Sequence, residues 1–321
     1  MFDTSPDHSF RDIFDNYVRL HRTSASMQRQ LDLVIRLMAE DIAVTHPGHL
    51  NTDKQVLWRD MVLTRAKPVT WNNYRRHVQV LLRYAMTKKL IAENLWEVSS
   101  EPVEDVAPKT VNIDRLNDII ASLSRDGSRI EPHWFWLAVL RTLFMTGIRR
   151  RQLLGLTWED VDFTQGHLIL RSKTSKTRRE WSVPMMPAVV EDLRTLQAKT
   201  RAAVGEEYLR DGQVFNLTLF LRRRRNPKLK QMNEWHLANF FRALKKHHAF
   251  KASPHKVRHT FATELAKTGR IKTLQRILGH RDVRTTFCYV HPDMEEMRDL
   301  MGNLGVKRIR PPVVDATVSR E

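Results

Sequence analysis

Four side chains in one short stretch, His255, Arg258, His280 and Tyr289, combine a permanent positive charge, two imidazoles and a phenol. The stretch reads HKVRHTFATELAKTGRIKTLQRILGHRDVRTTFCYVH, from His255 to His291. A guanidinium forks hydrogen bonds onto an oxyanion, an imidazole exchanges protons near neutral pH, and a phenol can supply a nucleophilic oxygen. At helical spacing His255 and Arg258 share one face, with His259 one position further round. His255 and His259 also have the i, i+4 spacing of zinc ligands. The zinc-hydrolase helix, however, places a glutamate after its first histidine, and Lys256 stands there. No metal site is expected, the more so because the chain offers a single cysteine as companion. Taken singly, each of these residues would be an ordinary surface or core side chain.

The elements that must position this set are mostly helical. Ser253-Pro254 is a cap and first-turn pair, so a helix is expected from His255 to Thr268; Ile271–Leu278 makes a second, closed by Gly279. A third is expected near Asp282, including Tyr289. Upstream, helical patterns run over residues 113–123 and 132–145, with a shorter one near 149–156. The period then changes: His167–Leu170 and Glu180–Val183 read as two strands flanking the polar turn SKTSKTRR. Helices are expected again over 188–199 and 233–248, whereas residues 199–250 as a whole match no motif. A tail helix is expected over Met294–Leu304.

Residues 9–89 show four amphipathic segments, the last with Trp71, Tyr74, Val78, Leu81, Leu82 and Ala85 opposite Arg75, Arg76 and Arg83. Those arginines form either a solvated face or a contact surface for an anionic partner. The run SSEPVEDVAPKTVN over 99–112 breaks every period and reads as a linker. The expected organisation is therefore a helical domain over 1–100, a linker over 101–112, and a second domain with a C-terminal tail over 113–321. The fold class is mainly α with a small β-sheet in the second domain, preceded by an all-α module.

Charge narrows the partner. The 321 residues hold 54 Lys and Arg against 36 Asp and Glu, a net +18, and about +17 of it lies after residue 110. Such a balance favours a polyanion, and the run Arg222–Arg225 adds a patch with phosphate attraction. Cys288 has no partner for an internal disulfide, no signal peptide is evident, and the apolar run WFWLAVL is far too short for a bilayer. A cytoplasmic chain is expected.

HKVRHTFAT, then LGH, then a tyrosine nine residues beyond His280, resembles the H-x-x-R … H … Y signature of the tyrosine recombinases, the phage integrase family. The segment TGIRRRQLLGLTWEDVD over 146–162 is similar to that family's first box, whose arginine falls on Arg149. The turn SKTSKTRREWSVP resembles the family's lysine-bearing β-turn, with Lys173 in the matching place and Lys176 as the alternative. Gln152 departs from the pattern, standing where the family commonly has glutamate.

The resemblance implies a site-specific recombinase that cleaves DNA through a 3′-phosphotyrosyl bond and passes through a Holliday junction. Arg149 and Arg258 would hold the phosphate, His280 would complete the cradle, His255 would take the tyrosine proton or hold the phosphate oxygen, and Lys173 would protonate the departing 5′-oxygen. No cofactor is needed, since the phosphotyrosyl ester keeps the energy for rejoining. The implied partners are double-stranded recombination sites and three further copies of the chain on DNA, with a monomer or weak oligomer when free; accessory bending proteins stay open. The 1–100 module would be a SAM-like core-binding domain. Contacts to DNA are expected from Arg75, Arg76, Arg83, Lys176, Arg178, Arg179, Arg222 and Arg223. With helix beginning by Ser9, no additional arm-binding domain is expected. The rivals are a type IB topoisomerase-like nicking-closing enzyme and a catalytically silent DNA-binding protein of the same fold.

Overall fold

A computed structural model describes residues 8–104, 106–172, 179–221, 231–290, 297, 298, 301 and 302. Lys173, Lys176, Arg178, Arg222 and Arg223, and most of the expected helix over 294–304, lie outside the described residues. The chain forms two compact units, Met1–Val106 and Ala107–Glu321.

The first unit contains α1 (Phe10–Leu20), α2 (Ala25–Ile42), α3 (Thr52–Arg65) and α4 (Pro68–Thr87). Each start is chemically marked. Ser9, Ser24 and Asn51 accept hydrogen bonds from backbone N–H groups of the first turn, and Pro68 occupies the first turn of α4. The stripes thus oriented bury Phe10, Ile13, Leu31, Val34, Met38, Trp58, Trp71, Val78 and Leu81, and burying each such side chain contributes about 1.5–3 kcal/mol. Trp58 and Trp71 meet edge to face, their rings 5.4 Å apart. After α4 the chain is fastened back onto the helices. Buried Gln55 donates to the Leu95 carbonyl (2.7 Å) and accepts from the N–H groups of Glu97 (2.9 Å) and Val98 (3.2 Å). Asn72 pairs both ways with the backbone of Glu101, at 2.8 Å each way. The run expected to be a linker is therefore tied down at least to Glu101. Arg75 belongs to the same fastening, since its Nε donates to the Val98 carbonyl at 2.8 Å.

The second unit is built on α6 (His133–Thr146), which is apolar nearly all round because it runs through the middle of the core. Around it pack α5 (Ile113–Leu123), α8 (Pro187–Val204) and α11 (Pro254–Ala266). Trp136 stacks on Phe240 of α10 (Glu234–His248), centroids 4.4 Å apart. Short α7 spans Arg150–Leu154, and α9 Tyr208–Asp211. The sheet is antiparallel, in the order β1 (Val161–Asp162), β2 (His167–Leu170), β3 (Trp181–Pro184). Leu168 pairs with Val183 and both face the core, which fixes the register. β1 is two residues long, too short to carry a period, and sequence reading missed it. The stretch that matched no motif holds together through Gln213, whose amide nitrogen donates to Leu154 and Met232 carbonyls (2.6 and 2.9 Å) and whose oxygen accepts from the Met232 N–H (2.8 Å).

α12 (Ile271–Leu278) and α13 (Arg284–Phe287) follow α11. The third expected helix is only four residues long and stops before Tyr289. Tyr289 lies beyond it, its N–H donating to the Thr286 carbonyl at 3.1 Å.

Candidate active site

Ser253 caps α11 by accepting from the Lys256 N–H at 3.2 Å, and Pro254 begins the helix. This sets the azimuth of the first two turns: Arg258 points into the protein, His255 stays exposed near the end, and His259 lies between. Arg258 is only 3 % exposed. A charge so buried is held by fixed dipoles. Its guanidinium donates to the Gly147 carbonyl, to the Leu278 carbonyl at 2.9 Å, and to His280 Nε2 at 3.2 Å.

Both carbonyls come from turns that close a helix. Gly147 follows α6 with φ +61°, and a Cβ there would enter the Phe261 ring. Gly279 follows α12, also at φ +61°, and a Cβ there would enter the Trp181 ring. Only glycine meets both conditions at either place. Trp181 in turn donates its indole N–H to the Ile277 carbonyl at 3.1 Å, joining β3 to the end of α12.

Because an arginine only donates, the His280 Nε2 facing Arg258 must be the acceptor. Its Nδ1 then carries the proton and donates to Thr286 Oγ1 at 2.9 Å. Burial first, then the charges of Arg258 and Arg149, push His280 down to about 4, so the ring is neutral at physiological pH. Burial and Arg149 lower Arg258 to about 9, which leaves it cationic there.

Arg149 sits just ahead of α7, where the Gln152 side chain accepts from its backbone N–H at 2.8 Å. Glutamine thus supplies the capping oxygen that a glutamate would have given. The Arg149 guanidinium is half-buried, its Nη1 is shielded from solvent, and that atom has no hydrogen-bond partner among the described residues. It feels Tyr289, and its charge bears on Arg258. Two guanidiniums forced close together in a buried place, one with an unsatisfied N–H, form a receptor for an anion.

Tyr289 is 4 % exposed, its ring 6.2 Å from that of His280 and nearly parallel to it. Burial raises its pKa, while Arg258 and Arg149 pull the other way. Its hydroxyl lies 3.1 Å from His259 Nδ1. Burial and the neighbouring His255 and Arg258 push His259 down to about 4. Five of the residues singled out from sequence, Arg149, His255, Arg258, His280 and Tyr289, therefore converge, and two more join them. His259 was visible as the neighbour of Arg258 and as the zinc-spaced partner of His255, not as a contact of the tyrosine, and Thr286 had no signal at all because its role is defined by the turn that precedes Tyr289. Of the remaining expected contact residues among those described, Arg179 and Arg83 are exposed, and Arg76 is exposed and donates to Asn73 Oδ1 at 2.9 Å. No group of three or more His, Cys, Asp or Glu suited to a metal ion occurs among the described residues. No helix among them is long and apolar enough to cross a membrane.

Mainly helical, with one small antiparallel sheet and a buried tyrosine among arginines, the second unit matches the phage integrase family over residues 112–296. This chain belongs to that family. It is 31% identical over 79% of its length to a tyrosine recombinase XerC of Pseudomonas syringae, and 29% identical over 76% to one of Pseudomonas aeruginosa. It spans 55% and 59% of the lengths of those two relatives. Among solved structures the fold is similar to the Tn1549 transposon integrase in complex with circular intermediate DNA (TM-score 0.70, 19% identity, 92% of this chain and 99% of that one). It is also similar to a lambda integrase tetramer bound to a Holliday junction (TM-score 0.65, 16% identity, 90% and 78%).

Proposed function

We propose that this chain is a tyrosine-type site-specific DNA recombinase, with Tyr289 as the nucleophile. The observation that carries the reading is the Tyr289 hydroxyl buried beside two guanidiniums, one with an unsatisfied N–H. Attack by Tyr289 Oη on a phosphodiester builds charge on the non-bridging oxygens, where Arg149 and Arg258 offset it. Neutral His280 and the two carbonyls hold Arg258 in place for that task. The P–O5′ bond breaks as the Oη–P bond forms, and Lys173 protonates the departing oxygen. The resulting ester can be attacked by a 5′-hydroxyl from another strand, which rejoins DNA without a cofactor. Four protomers on two sites would allow exchange through a Holliday junction. The helical unit would bind the site through Arg76 and Arg83, and Arg179 of the second unit would also meet phosphate, in a cytoplasmic, nucleoid-associated complex.

The test is denaturing capture of covalent protein–DNA complexes from cells expressing the chain, sequencing of the recovered DNA, and a nicked duplex built on that sequence. Wild type should accumulate an adduct and Tyr289→Phe should not, while both retard the duplex equally on a native gel. An adduct formed by the Phe variant removes Tyr289 as nucleophile. Relaxation of supercoils with no joining of two sites would instead place the chain with nicking-closing enzymes.

A further inference from the structure

His259 stands closer to the reacting oxygen than the histidine that opens the H-x-x-R motif. Its Nδ1 is 3.1 Å from Tyr289 Oη, the rings 5.4 Å apart. His255 is exposed and packs its ring on His259 instead, with centroids 4.0 Å apart at 66°. We propose that His259, and not His255, receives the proton of Tyr289 when the phosphotyrosyl bond forms. The proposal rests on Tyr289 being the nucleophile.

The charges around the phenol oxygen favour one direction for this hydrogen bond. The cationic guanidiniums of Arg258 and Arg149 both act on the Tyr289 hydroxyl, and a guanidinium can only donate. Positive charge against the oxygen turns its proton away from the arginines, and the proposal places that proton toward His259 Nδ1, 3.1 Å away. The His259 ring then carries its own proton on Nε2. Around it stand His255 and Arg258 from the same helix, and Tyr289 and His280 from the segment after α12. Burial and positive neighbours keep this imidazole neutral, so it is ready to accept.

A base this weak does not ionise a resting phenol. During attack the situation changes, because electron density leaves Oη as it bonds to phosphorus and the remaining proton becomes strongly acidic. A phosphodiester lying against Arg149 and Arg258 also brings a negative charge that offsets the field holding His259 neutral. The atoms balance: Oη–P forms, P–O5′ breaks, the Oη proton moves to Nδ1 to give an imidazolium, and a separate acid supplies the 5′-oxygen. On rejoining, the imidazolium returns that proton to Oη as it leaves phosphorus.

The experiment follows single-turnover adduct formation on the nicked duplex described above, from about pH 6 to about pH 9, for wild type, His259→Asn, His259→Ala, His255→Asn and Tyr289→Phe. Asparagine keeps an acceptor oxygen near the Nδ1 position but takes no proton. Both His259 variants should bind the duplex and form adduct at least about 100-fold more slowly, within the range for loss of a proton acceptor. Their rates should climb with pH across the window as the phenol ionises unaided. A 5′-thiol leaving group should not repair them, because the defect lies on the attacking side. His259→Asn cleaving within about threefold of wild type with an unchanged pH profile overturns the proposal. So does transfer of these signatures to His255→Asn. Nitrogen NMR of the wild-type imidazole gives a check independent of any variant: Nδ1 of His259 should be unprotonated, and a protonated Nδ1 overturns the assignment. An adduct with Tyr289→Phe strikes the underlying reading instead.

Discussion

A guanidinium buried at 3 % exposure and held by two backbone carbonyls and a neutral imidazole cannot be exchanged for an ammonium. Arg258→Lys should lower adduct formation by about 10²-fold or more, the scale of losing a preorganised donor, with DNA binding little changed. Single-turnover cleavage beside a native gel checks both halves. His280 predicts a pH effect on stability. Its folded pKa of about 4 lies below the unfolded value, so between those values only the unfolded chain takes the proton. Stability is therefore fully present above about 6.5 and is lost as pH falls toward 4, by about 2 kcal/mol between pH 7 and 5. Urea unfolding at the two pH values should show this difference shrinking in His280→Gln; an unchanged difference would remove His280 as its source. At this scale the sequence was legible where a motif carried it. Arg149, His255, Arg258, His280 and Tyr289 were found from spacing and resemblance, whereas the 3.1 Å contact of His259 with Tyr289 depends on where a short helix stops.

The elements explain that difference. Helices with a chemical start signal were readable: Ser253-Pro254 opens α11 and Gly279 closes α12, and both lie where expected. Elements too short for a period were not: β1 has two residues, and α13 ends before the tyrosine it was expected to include. Gly147 shows how tightly a turn is specified. Gly147→Ala meets both the positive φ and the Phe261 ring, and should destabilise the protein by about 2 kcal/mol or more. It should also slow cleavage, because its carbonyl holds Arg258. Chemical denaturation and adduct assays on the same variant check the pair; a variant of wild-type stability would mean that Phe261 gives way without cost. For the turn between β2 and β3, Lys173→Ala should slow cleavage of a normal 5′-oxygen substrate far more than one with a 5′-thiol leaving group. Equal slowing would move the acid to Lys176 or elsewhere.

For the whole molecule, charge was legible from composition and its arrangement was not. A net +18 acting on phosphates should make DNA affinity fall steeply with salt, by roughly 10³-fold between about 50 and about 200 mM. A nearly flat salt dependence would show that the positive charge is not spent on phosphates. The Gln55 and Asn72 bonds that fasten residues 95–101 had no signal beforehand, because a polar side chain clasping a distant backbone leaves no period in the sequence. A second clasp of this kind crosses the second unit. Trp181 begins β3, and its indole is pinned to Ile277 and seated over Gly279. The last turn of α12 is thereby geared to the sheet. The end of α12 also supplies the Leu278 carbonyl to Arg258, so any displacement of β3 would reach the buried guanidinium through one indole ring.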